Sequence, residues 1–356
     1  HYSRATSKNM TIENLDKYAI IKGLDVLGTG DFTHPIWLTE MKSKLKEDSG
    51  LYKYKSELRF MLTGEISLMY SQDGKGRRIH AVLLAPNFEV VDQINEWLDA
   101  KGRRDYDGRP IFGFSAKELA ENLMSISKDI MIIPAHIWTP YFGLLGSRSG
   151  FDSVEECFGD QTKHIHALET GLSSDPAMNW RISSLDKFTL VSNSDCHSYH
   201  TWRLGREANV FNLKKLSYKE IINSIKTRKN FLYTIETDPA YGKYHWDGHR
   251  NCNVSFSPKQ TKKLKGICPK CRKPLTIGVE HRIEELADRK EGFIPKYSVP
   301  FKKLLPLSEL IAGLYSTSVS AKKVSIDSEK LIKEFGSELN VLTVSYTHLR
   351  AHETVL

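Results

Sequence analysis

The sequence predicts an α/β fold in which strands alternate with helices around a barrel, followed by a zinc-binding module and a helical C-terminal region. Three observations carry this. Apolar runs of about four to six residues, bounded by Gly, Pro, Asn and Ser, recur between segments of helical periodicity, as buried strands of an α/β sheet do. Metal-ligand residues stand in or beside these runs: Asp31 and His34 in VLGTGDFTH, Glu65 in FMLTGEI, His80 in RIHAVLLAP, His136 in IMIIPAH, and Asp195 and His197 in FTLVSNSDCH. A ring of parallel strands gathers strand-end residues at one face, however far apart they lie in sequence. Further on, HRNC and ICPKC supply a second cluster of metal-ligand residues.

In chain order, residues 11–23 read as a helix with Ile12, Leu15, Tyr18 and Ala19 on one face and Gly23 as its stop. The strand LDVLGTGDF follows, then a helix over residues 38–45. Residues 58–70 and 78–86 flank SQDGKG, whose Asp-Gly pair marks a tight turn, so they predict a hairpin-like excursion. A helix over 90–100 leads into the polar loop KGRRDYDGRP. Next come a helix over 115–127, a strand over 129–135 and a long loop from 138 to 153. Strands within 163–169 and 188–195 continue the alternation, and residues 300–342 look helical and basic on one side, a DNA clamp or a lid for the barrel.

A chain of 356 residues can bury a large core. No apolar run approaches the roughly 18–20 residues that cross a bilayer, and HYSRATSKNM has no signal-peptide core, so no membrane association is expected. Five cysteines, an odd number, argue against a disulfide framework and for a cytoplasmic protein with reduced or metal-bound thiols. The net charge of +8 is unevenly spread: residues 1–240 hold 31 basic and 31 acidic side chains, residues 241–343 hold 19 and 11. A neutral body with a basic appendage suits a polyanion, DNA foremost; the rival reading is a solvated lysine-rich surface. Nothing demands a dimer, and a monomer is expected.

Both ends read as unnatural. A strand-first barrel needs an opening strand before Tyr2, whereas HYSRATSKNMT reads as a loop, so the chain is expected to be a fragment. VSYTHLRAHET resembles a translated sequencing adapter, so residues 344–356 are expected to be a non-native tail, and His348 and His352 are given no role.

The CxxC of Cys268 and Cys271 can turn two thiolates onto one zinc, and Cys252 with His249, about sixteen residues upstream, can complete a tetrahedron. His245 and His281 compete with His249 as fourth ligand. The alternative is a redox pair, but a thioredoxin-like βαβ frame is missing. Four protein ligands leave no open position, so this zinc is expected to be structural. Lys262, Lys263, Lys265 and Lys270 around it are suited to phosphates.

Asp195-Cys196-His197 after a strand, Pro134-Ala135-His136 after another, and Gly64-Glu65 ahead of His80 together resemble the polymerase-and-histidinol-phosphatase (PHP) family. That resemblance implies a distorted seven-stranded, TIM-like β/α barrel holding up to three divalent metals (zinc, manganese or magnesium) and hydrolysing phosphoesters. The family's opening His-x-His is absent here, and its usual Thr-Asp-His is replaced by GDFTH, leaving Asp31 either to ligate or to orient His34. GTGDFTHP, PAHIWTPYFG, ALETGLSSDP, SNSDCHS, YHWDGHRNC and ICPKCRKPLTIGVEHRIEELADR resemble the endonuclease Q family over residues 2–343. This second resemblance implies a metal-dependent nick 5′ of uracil, hypoxanthine, xanthine or an abasic site in DNA.

The expected barrel ligands are His34, Glu65, His80, His136, Asp195 and His197, with Asp31, Glu169 and Arg206 as further catalytic candidates. Glu169 would contact the ligands or the substrate; Arg206 would reach a phosphate or form a surface salt bridge. An extruded base would need stacking rings and polar contacts, which Trp138, Tyr141, Phe142, Phe151, Ser147 and Arg148 could supply, although such rings also pack in cores. The expected domains are a catalytic barrel over 1–240, a zinc module over 241–290 and a helical region over 291–343. Two rivals stand beside the endonuclease: a PHP phosphomonoesterase for a small phosphate ester, and a non-catalytic nucleic-acid-binding protein.

Overall fold

The first helix, Ile12–Lys22, forms where periodicity and caps agree. Thr11 accepts the Asn14 amide at its start, and Gly23 ends it at φ 96°, a left-handed conformation that glycine adopts without side-chain strain. The computed structural model describes residues 2–4 and 6–344, so the expected tail lies, from residue 345 on, outside the described residues. Helices Pro35–Lys44, Phe88–Asp99 and Ala116–Ile126 match the sequence expectation to within a few residues; Asn87 and Ser115 cap the last two.

The main sheet has seven strands. Lys46–Asp48, Leu51–Lys53, Arg59–Gln72, Lys75–Ala85 and Met131–Pro134 are neighbours in that order. Val26–Gly28 and Ile111–Phe112 each pair in parallel with Arg59–Gln72. The predicted hairpin is present, turning at Asp73 and Gly74, both at positive φ as a two-residue turn of this type requires. It is no excursion, however, but the centre of the sheet.

Among the described residues the strand pairing closes no barrel. A two-residue turn can only return the chain antiparallel, so this sheet is mixed. Beyond it, Ala167–Glu169 and Thr189–Val191 form a separate parallel pair, joined to the preceding strand's end through the Ile137 amide and the Glu169 carbonyl. Ala208–Phe211, Phe231–Glu236 and Phe301–Lys303 make a third sheet. Among the described residues the ladders form an arc around a cavity of about 780 Å³.

Strand alternation decides what meets the cavity. Phe60, Leu62, Ile66 and Leu68 of one central strand and Ile79, Ala81, Leu83 and Ala85 of the other enter the main core beneath the helices. Met61, Thr63 and Glu65, and with them Val82 and Leu84, therefore face the other way and line the cavity.

The second half of the chain adds two modules. Asp247–His249 and Val254–Phe256 form a small hairpin, followed by helices Pro258–Lys263 and Val279–Leu286. The C-terminal helices Leu307–Leu314 and Lys322–Phe335 share their own apolar cluster of Leu307, Ile311, Ala312, Val324 and Leu342. A buried ion pair fixes this region to the body: Lys22 Nζ lies 2.7 Å from Glu338 Oε1, each side chain 1% exposed. No helix among the described residues is long and apolar enough to cross a membrane.

Candidate active site and metal centres

Glu65 and His80 sit diagonally across the central hairpin, Glu65 opposite Val82 and His80 opposite Ser67, so their side chains share a face. His80 Nδ1 is 2.9 Å from Glu65 Oε1 and 3.1 Å from His136 Nε2, and His136 Nε2 is 3.8 Å from the same carboxylate oxygen. One donor atom from each of the three lies within 4.8 Å of the others, a spacing that fits a single divalent ion. Burial works to raise the Glu65 carboxyl, but His80, His136 and Arg109 outweigh it and hold it well below the usual carboxylate range.

His136 follows its strand with φ 31°, a conformation uncommon for a side-chain-bearing residue. Asp31 (φ 52°) and Asp195 (φ 39°) share it, so three predicted residues stand on such backbone. Glu169 holds His136 in place: Oε2 accepts the His136 amide at 2.7 Å, while Oε1 accepts from Asn193 Nδ2 at 2.8 Å. Burial raises the Glu169 carboxyl to about 7, against the opposing pull of His136 and Asn193. Glu169 thus acts on the backbone of a candidate ligand.

The other three predicted ligands lie outside this group. His34 is buried and stacks on Tyr2 with ring centroids 4.1 Å apart, and its Nδ1 has no hydrogen-bond partner among the described residues. Asp195 and His197 line the same cavity as Glu65 and His136, and His197 Nδ1 is 3.1 Å from the Asp195 carbonyl oxygen. Asp31, also on the cavity, accepts from the Tyr2 amide and the Ser3 hydroxyl, each at 3.0 Å. Arg206 donates to the Ser194 carbonyl from Nε at 3.4 Å and Nη2 at 3.3 Å, bracing the turn that carries Asp195.

The aromatic loop departs from expectation. Trp138 is fully buried, donating to Asn179 Oδ1, and Phe151 is buried beneath the Arg77 guanidinium; both rings belong to the core and offer no face to a base. Ser147 donates to the Ile277 carbonyl and Arg148 to that of Leu275, so both clasp the loop to the segment that follows the CxxC. Arg282 closes the clasp from the other side, on the carbonyls of Leu145 and Phe151 and the Asp152 carboxylate. Tyr141 is exposed, and Phe142 packs 4.5 Å from the His80 ring.

His249, Cys252, Cys268 and Cys271 converge, one donor from each within 4.8 Å of the others, with Cys271 Sγ 3.4 Å from His249 Nδ1. The two rival histidines are engaged elsewhere: His281 Nδ1 with Asp247 at 2.7 Å, and His245 Nε2 beside Glu280 at 3.6 Å. Three thiols and an imidazole at this spacing fit a tetrahedral metal ion. Lys270 donates to the Cys252 carbonyl at 3.0 Å and Lys262 pairs with Glu284, whereas Lys263 and Lys265 are exposed.

The sequence reading missed Arg109 and Asn193. Arg109 Nη1 lies 3.2 Å and 3.3 Å from the two Glu65 oxygens. Its signal was an Asp-Gly turn in a polar segment, which resembles any connector.

Residues 306–349 match the MJ0043 C-terminal domain family. The chain is 34% identical over 229 residues to protein MJ0043 of Methanocaldococcus jannaschii, covering 61% of this chain and only 28% of that protein's length. It is 27% identical over 335 residues to YqxK of Bacillus subtilis, covering 90% and 78%. The crystal structure of the lesion-specific endonuclease PfuEndoQ from Pyrococcus furiosus superposes with a TM-score of 0.85 at 33% identity, over 96% of this chain and 82% of that one. Endonuclease Q in complex with a 27-mer duplex carrying an abasic lesion at its active site gives 0.85 at 34%, over 95% and 82%.

Proposed function

Because the chain belongs to the endonuclease Q family, we propose that it is a metal-dependent DNA endonuclease that hydrolyses the phosphodiester 5′ of a deaminated base or abasic site. The observation that carries this reading is the convergence of Glu65, His80 and His136 beside a cavity that Glu65, His136, Asp195 and His197 line. A divalent ion bound there would supply an activated water and neutralise the phosphate.

The chain's own residues do the rest. Glu65 stays ionised to meet a cation. Glu169 fixes the backbone of His136, and Arg206 fixes the turn before Asp195. Asp195 and His197, which line the same cavity, can add donors, and Asp31 holds the segment of Tyr2 and Ser3. Selecting a modified base inside a duplex requires extrusion, and the exposed Tyr141 is the ring of its loop best suited to meet one. Lys263 and Lys265 can follow the phosphate backbone from a structural zinc module. In this reading residues 1–240 are catalytic, 241–290 bind zinc and 291–343 form a C-terminal helical unit.

The test is an end-labelled duplex with a single deoxyuridine or abasic site, incubated with magnesium or manganese beside an undamaged duplex. We expect one nick, immediately 5′ of the lesion, that a chelator abolishes. Hydrolysis of a small phosphate monoester with no nick would favour the phosphatase; metal-independent DNA binding with neither activity would favour a binding protein.

A further inference from the structure

The segment KGRRDYDGRP is pinned to the GDFTH motif. Arg104 donates to the Thr33 carbonyl at 2.5 Å and clamps Asp99 with two further bonds. Thr33 Oγ1 in turn donates to the Gly108 carbonyl at 3.1 Å. A Cβ on Gly108 would stand 2.3 Å from the Asp31 carboxylate carbon, so any larger residue here would have to displace that side chain. The next residue, Arg109, is thereby delivered to Glu65. Only its Nη1 is engaged there: Nε and Nη2 make no hydrogen bond among the described residues, are not enclosed, and belong to a side chain 28% exposed.

The cavity that Arg109 faces is acidic. Asp25, Asp31, Glu65 and Asp195 line it beside Glu169 and Glu207, whose carboxyls burial raises, and among the described residues Arg109 is the one lysine or arginine that does. Such a lining repels a phosphodiester unless cations offset it. A guanidinium with two unused donors offers the planar fork that matches a pair of phosphate oxygens.

We infer that Arg109 is the side chain that grips the non-bridging oxygens of the phosphate in this cavity, and that it gives up Glu65 when a divalent ion takes that carboxylate. The inference rests on the cavity's receiving a phosphodiester, as proposed above. Arg109 and the metal then compete for Glu65 but cooperate on the phosphate. A merely structural arginine has no such opposed effects.

Wild type, Arg109→Gln and Arg109→Lys would be compared in two titrations: manganese into protein stripped of barrel metal, and inorganic phosphate into manganese-loaded protein. Arg109→Gln should bind manganese more tightly than wild type, since a competing cation is gone. It should bind phosphate about tenfold more weakly or worse, the loss of a charge-assisted contact. Arg109→Lys, which keeps the charge without the fork, should fall between, and it carries the test if the glutamine variant unfolds. Equal phosphate affinity in variant and wild type would overturn the inference, as would weaker manganese binding by Arg109→Gln. The endonuclease reading fails separately, through a wild type whose phosphate binding depends on Arg109 but which nicks no lesion-bearing duplex.

Discussion

Glu169 shows how one carboxylate can set the backbone of a candidate ligand. It accepts the amide of His136, whose backbone sits at φ 31°, and Asn193 holds its second oxygen. Removing the acceptor in Glu169→Ala leaves that amide unpartnered and lets the imidazole drift. Loss of such a supporting contact should lower metal affinity or nicking by about 10–100-fold, measured by metal titration and single-turnover cleavage; an unchanged affinity would deny Glu169 this role. Glu65, His80 and His136 were legible because each stood in or beside an apolar run, and period-two alternation fixes which way a strand residue points. Arg109 was not, because its position depends on contacts of Gly108 and Arg104 with a motif seventy residues away. Trp138 and Phe151 were misread since an aromatic loop has the same composition whether its rings stack on a base or fill a core.

At the level of elements, the helices were legible and the sheet was not. Thr11, Asn87 and Ser115 announce helix starts through local hydrogen bonds that sequence records directly. Strand pairing depends on distant partners: the Asp73-Gly74 turn was legible, but not that its hairpin forms the antiparallel centre of the sheet instead of an excursion from it. The His249 cluster lies between these cases: the cysteine spacing identified three thiols, while the choice of His249 over His245 and His281 required the fold. Cys271→Ser should reduce tightly held zinc by about one ion per chain, since a structural site closes with four protein ligands. It should also speed proteolysis within residues 247–278, checked by metal analysis and limited digestion. Retention of the zinc with unaltered proteolysis would mean that these four residues do not share an ion.

Across the whole molecule, the C-terminal region is anchored by a buried charge pair. Lys22 Nζ serves Glu338 and the Thr201 carbonyl, and Glu338 Oε1 also accepts the Leu307 amide, so first helix, cavity loop and C-terminal unit meet at one point. Lys22→Met should destabilise the protein by about 3–5 kcal/mol in denaturant unfolding, because the Glu338 carboxylate is left buried without its cation. Lys22→Met combined with Glu338→Leu should recover much of that loss, as apolar replacement of a whole pair often does; a double variant as unstable as the single one would count against this account. The clasp of Ser147, Arg148 and Arg282 has a consequence in time. A three-donor centre leaves a coordination position through which a chelator can reach the ion, whereas a closed four-donor centre offers none until its module opens. Chelation should therefore inactivate in two phases: an early one reversed by adding manganese, and a late one in which the loop beside His136 loses its brace and manganese alone no longer restores the rate.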